Sequence, residues 1–169
     1  QQAIECAKAL NEGINASTKE VKAVVSVFVS RFDKMCDADF QSKNIPTARL
    51  GIINATKCYH EVNAFKNKNI RTLFASTATK SPNLDPSYYV DNLIFPNSIN
   101  TAPLLTIEHW IKEGCKTKSK ILTLDECNEF FELLKVKHID MERIYRDLLN
   151  EGLDSFKESF KDLLSKLTA

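Results

Sequence analysis

The period of hydrophobic and polar positions changes several times along the chain, and each change predicts an element. QQAIECAKALNEG sets Ala3, Ile4, Ala7, Ala9 and Leu10 at helical spacing and closes on Gly13, so a helix is expected from the first residues. After the polar stretch INASTKE, residues 24–30 (VVSVFVS) form a short apolar run that reads as a strand buried on both faces, broken by Arg31 and Asp33. Residues 46–65 place Ala48, Ile52, Ala55, Tyr59 and Val62 on one helical face, with Pro46 suited to the first turn. NIRTLFAST predicts a second short strand with Ser76 and Thr77 at its carboxyl end. In the loop-like SPNLDPSYYVDNLIFPNSIN, Asp85 and Pro86 are placed to start a short helix over 88–93. Residues 98–101 predict a third strand, and LLTIEHWIKEG a helix capped by Gly114. From Leu122 onward the pattern is helical. Thr123 and Glu126 have capping-box spacing, Phe130, Phe131, Leu133 and Leu134 supply an apolar side, and Tyr145, Phe156 and Phe160 recur at core-like intervals.

Helices alternating with short strands imply parallel strands joined by helical crossovers, hence an α/β architecture. Such folds place their chemistry at the carboxyl ends of the strands, in open sheets and in (β/α)8 barrels alike. Arg31, Ser76–Thr77 and Asn100–Thr101 all fall at such ends. A guanidinium fork with neighbouring hydroxyls and an amide suits phosphate and sugar oxygens. In a straight strand Ser26 and Arg31 would face opposite ways, so one pocket can use both only if the chain turns or bulges between Val29 and Arg31.

Composition narrows the picture. The 169 residues, 43% of them apolar, suffice for one globular domain. Lys and Arg total 23 against 22 Asp and Glu, a net charge of +1, so no basic field points to nucleic acid or to an anionic membrane. Five cysteines without a CxxC fit neither a disulfide framework nor a zinc site and suggest a reducing cytoplasm. No apolar run approaches the roughly 18 residues of a membrane span, and QQAIECAK does not read as a signal peptide. His60, His109 and His138 share no spacing and are assigned to structure or solvent, and Trp110 to packing.

SVFVSRFD (26–33), IINATKCYHEV (52–62), LFASTATKSPNLDPSYYVDNLI (73–94), NSINTAPLLTIEHWIKEG (97–114) and the tail LLNEGLDSFKESFKDLLSKL together resemble the carboxyl-terminal half of transaldolase. AST.TK followed by YVD and NT.P is the most specific part of the likeness. The resemblance implies a (β/α)8 TIM-type barrel of the class I aldolase kind, with residues 1–169 covering its C-terminal half plus closing helices. It implies transfer of a dihydroxyacetone unit from sedoheptulose 7-phosphate to glyceraldehyde 3-phosphate through a lysine Schiff base, in the cytoplasmic pentose phosphate pathway, with no metal or organic cofactor.

By match to the family motif, Ser26 would line the sugar site and Arg31 would bind the substrate phosphate together with Ser76. Many members carry an arginine two residues after that serine; here Ala78 and then Lys80 follow, and Lys80 is the candidate to supply the charge. The family's Schiff-base lysine lies on a strand upstream of SVFVSRFD, so it is expected before residue 1, and none of the catalytic residues is expected in this chain. A barrel of this kind needs about 250 residues. The expected partners are sugar phosphates and the N-terminal part of the same protein, without nucleic acid or membrane. Two other readings stand beside this one: a related Schiff-base sugar-phosphate aldolase, and a non-catalytic helical module whose last 45 or so residues pack on a partner helix.

Overall fold

The computed structural model describes residues 1–79, 81–117 and 120–167. Its elements run α1 (Gln2–Ala16), β1 (Ala23–Phe28), α2 (Ser30–Ser42), α3 (Leu50–Asn63), β2 (Ile70–Ala75), α4 (Tyr88–Asn92), β3 (Ser98–Asn100), α5 (Leu104–Glu113), α6 (Leu124–Val136) and α7 (Met141–Leu167). The three strands form one parallel sheet in the order β1-β2-β3, as the alternation of elements predicts. The register sets Ser26 beside Leu73 and Leu73 beside Ile99.

The two faces of this sheet differ. Val25, Val27 and Val29 point with Ile70, Thr72 and Phe74 into a core built with helical residues that include Ala7, Ile52, Ala55, Tyr59 and Val62. Within it Phe95 meets Tyr59 and Phe74 edge-on, at centroid distances of 5.1 and 5.5 Å. The opposite face carries Val24 and Phe28, 40% and 43% exposed, with Ser26 exposed between them and Arg71, Leu73 and Ala75 partly exposed alongside. The expectation of a strand buried on both faces is therefore corrected. Both sides of β1 carry large apolar residues, Val25 and Val27 on one and Val24 and Phe28 on the other, but among the described residues the helices cover only the first.

Two boundaries and one element also differ from the sequence pattern. Helix α1 runs through Gly13 to Ala16, because that glycine keeps a helical backbone and does not act as a stop. Helix α3 begins at Leu50, well after Pro46: Ala48 takes a left-handed conformation (φ 55°), and its N–H is drawn to Asp37 Oδ1 at 2.9 Å. Helix α2 was not expected at all. Its buried apolar residues are only Phe32, Cys36 and Phe40, a narrow stripe among charged residues. The capped ends are as expected. Thr123 N donates to Glu126 Oε2 (2.7 Å) and Glu126 N to Thr123 Oγ1 (3.1 Å), while Gly114 closes α5 at φ 74°.

Residues 1–132 and 133–169 form two compact units. In the second, no residue of α7 is buried; Tyr145 is exposed, and Phe156 and Phe160 are 67% and 60% exposed. The core role expected for these three aromatics does not hold, since their helical spacing sets them on the exposed surface of α7. Among the described residues no helix is long and apolar enough to cross a membrane.

Candidate functional site

The carboxyl ends of β1 and β2 meet through their backbones. Val29 N donates to Ala75 O and Ser30 N to Ser76 O, each at 3.0 Å, and the Ser30 and Ser76 hydroxyl oxygens lie 3.3 Å apart. Ser76 holds φ 55°, a left-handed conformation that costs a serine on the order of 1–3 kcal/mol and that turns the chain sharply off the strand. β1 ends at Phe28, and Arg31 already lies in the first turn of α2. That turn supplies the change of direction the sequence demanded, as a helix start and not as a bulge. It brings the guanidinium over the Phe28 ring, 4.5 Å from its centroid. Phe28 stands on the same sheet face as Ser26, so Arg31 is carried to the end of the uncovered face with Ser26 about 7 Å deeper along the strand.

Asp33 does not pair with Arg31, its neighbour two positions earlier. It is 1% exposed and accepts hydrogen bonds from Gly51 N (3.0 Å, Oδ1) and from the Tyr89 hydroxyl (2.9 Å, Oδ2). Among the described residues Arg31 has no carboxylate within ion-pair distance, which leaves its charge available to a ligand. Arg31 and Ser26 are thus placed on one face of the sheet, while Ser76 is tied to the same strand end through Ser30, which sequence reasoning missed although it stands directly between strand and arginine. Lys80 lies outside the described residues. Among the described residues no three His, Cys, Asp or Glu side chains assemble as a metal site.

The motif residues that carry the family likeness serve mainly to stitch the strand ends together. Buried Thr77 donates its hydroxyl to Thr101 O, and Thr101 returns both its N–H and its hydroxyl to Phe74 O at 3.0 Å. Asn100 Nδ2 donates to Val90 O (3.3 Å), and Trp110 Nε1 to the buried Asp91 (2.8 Å), so this tryptophan is a hydrogen-bonding anchor as well as a packing residue. His60 donates to Leu122 O (2.7 Å) and His109 to Asp85 (3.1 Å), which are structural uses.

Burial raises the Asp33 pKa from 3.8 to about 6, against the lowering hydrogen bonds from Gly51 and Tyr89, with Asp37 adding to the rise. A carboxyl that titrates higher in the folded than in the unfolded state favours folding when protonated. Its contribution is full below pH 3.8 and is lost as the pH rises through about 6. Relative to wild type, Asp33→Asn should therefore gain stability between pH 4 and pH 7, by on the order of 3 kcal/mol. Urea unfolding midpoints of both proteins across that range check this, and a difference that does not change with pH would contradict it.

Residues 1–167 match the family model described as Transaldolase/Fructose-6-phosphate aldolase. The chain belongs to this family. A transaldolase of Helicobacter pylori is 46% identical over 152 residues, covering 90% of this chain and 48% of the relative. A transaldolase of Campylobacter jejuni is 34% identical over 178 residues, covering 99% of this chain and 53% of the relative. The chain spans about half the length of the curated relatives it matches. For a member of the transaldolase/fructose-6-phosphate aldolase family, the parallel sheet with helices on one side agrees with part of an aldolase-type α/β domain.

Proposed function

We propose that this chain forms the phosphate-binding, C-terminal part of a transaldolase, one (β/α)8 barrel whose remaining strands come from the N-terminal part of the same protein. The observation that carries this reading is the placement of Arg31, with no carboxylate partner among the described residues, beside the Ser30–Ser76 pair at the carboxyl ends of two parallel strands. The guanidinium binds two phosphate oxygens of sedoheptulose 7-phosphate or glyceraldehyde 3-phosphate, and the Ser76 hydroxyl donates to a third. Ser26, deeper on the same face, meets the sugar chain below the phosphate. That face is the barrel interior, and the upstream strands complete it, which accounts for exposed Val24 and Phe28. Lys80, four residues after Ser76 in the sequence, is the candidate for a further point cation.

In this reading the Schiff-base lysine lies on a strand outside residues 1–169, and the enzyme works in the cytoplasmic pentose phosphate pathway. The curated relatives carry the name transaldolase, which favours transfer of the dihydroxyacetone unit over a simple aldol cleavage. Borohydride reduction of the assembled enzyme with sedoheptulose 7-phosphate should fix the ketose to a lysine outside residues 1–169. Peptide mapping reads the outcome, and stoichiometric label on any lysine within 1–169 would overturn the division of labour proposed here.

A further inference from the structure

The cluster directly behind Arg31 is made of residues from three helices. The Asp33 carboxylate lies one helical turn from the start of α2 and joins Gly51 N of α3 to the Tyr89 hydroxyl of α4. Gly51 sits so close to the β1–α2 junction that a Cβ there would lie 2.4 Å from Val29 O and 3.0 Å from Asp33 Oδ2. The first turn of α2 is therefore clamped from behind by α3 and α4. Within the same turn Arg31 projects to the other side and rests on Phe28. A guanidinium that binds phosphate gains most when its backbone is already fixed, because less conformational freedom is lost on binding.

We propose that Asp33 is a positioning residue for the anion site: by tying Gly51 and Tyr89 to the first turn of α2, it sets where the Arg31 guanidinium stands. Nothing in this arrangement requires Asp33 to touch substrate, and it is shielded from solvent. The groups facing it are the Gly51 and Leu50 N–H groups and the Tyr89 hydroxyl, with Asp37 as the charged neighbour on its own helix. Asparagine fills the same volume, accepts from Gly51 N–H through its oxygen and can donate to the Tyr89 oxygen, so it retains the tie without the charge. Alanine removes both contacts, and Tyr89→Phe removes one.

The inference rests on the reading of Arg31 as the phosphate ligand, and the test separates the two. In the assembled enzyme, binding of sedoheptulose 7-phosphate is titrated while the Arg31 Nε–H resonance is followed by NMR, for single variants and for the same variants combined with Arg31→Ala. Asp33→Ala should weaken binding about 10-fold and shift the Arg31 signal in the free protein. Tyr89→Phe should weaken it about 3- to 5-fold, and Asp33→Asn should stay within about 2-fold of wild type. In the Arg31→Ala background none of these changes should weaken binding further. If Arg31→Ala itself binds as wild type does, the phosphate reading fails. If Arg31→Ala weakens binding but the Asp33 and Tyr89 changes have no effect, or add to it in full, the positioning role is overturned. Should Asp33→Ala fail to fold, the Tyr89→Phe and Arg31→Ala cycle decides by the same criterion.

Discussion

Replacing Arg31 with alanine in the assembled enzyme is expected to lower kcat/KM for phosphorylated substrates by about 30- to 1,000-fold, equivalent to roughly 2–4 kcal/mol of lost transition-state binding. The size follows from the setting. Arg31 lies at a partly shielded strand end, rests on Phe28 and has no carboxylate competing for it among the described residues, so a phosphate would take both arms of its fork. A surface arginine that merely contributed to the field would cost far less. Arg31→Lys should recover only part of the loss, because an ammonium reproduces the charge without the two parallel donors. With matched non-phosphorylated sugars the loss should nearly vanish. Steady-state kinetics on both substrate types settle the role, and equal losses on both would reassign Arg31 to structure.

The largest loss of stability is expected at Gly51. Its Cα faces Val29 O so closely that even a methyl group would stand 2.4 Å from that oxygen, and the obstacle is backbone, which cannot swing aside as a side chain would. Relieving the clash requires α3 to move off the β1–α2 junction, which lengthens the Gly51 N to Asp33 hydrogen bond and strips a buried carboxylate of a donor. Gly51→Ala should therefore cost about 3–5 kcal/mol despite alanine's better helix propensity, and lower Tm by roughly 6–20 °C. Thermal unfolding followed by circular dichroism measures this. A variant as stable as wild type would mean that the close approach is readily relaxed and that α3 does not clamp the strand end.

These two residues differ in how openly the sequence displays them. Arg31 interrupts an apolar run, and the rule that parallel sheets work at their carboxyl ends marks it, with Ser76, without any tertiary information. Local signals also gave the three strands, the capping box at Thr123 and Glu126 and the glycine stop at Gly114, because each depends on residues a few positions apart. Gly51 and Asp33 are 18 residues apart, and Asp33 and Tyr89 are 56 apart, so no local pattern joins them. Asp33 stands only two positions after Arg31, yet in α2 the one reaches Gly51 and Tyr89 and the other rests on Phe28. A glycine in the middle of a helical pattern was the one available hint, since it costs about 1 kcal/mol and asks for a packing reason. Helix α2 was hidden by its sparse apolar stripe. The open face of β1 was hidden because large apolar residues stand on both of its sides, so alternation does not say which side is covered.

Where the substrate phosphate goes tests the role of Arg31 most directly. A crystal structure of the assembled enzyme with sedoheptulose 7-phosphate bound should show two phosphate oxygens within about 3 Å of the Arg31 guanidinium nitrogens and a third near Ser76 Oγ, with the sugar chain running down the sheet face past Ser26. A phosphate held elsewhere, with Arg31 turned to a protein carboxylate, would contradict it.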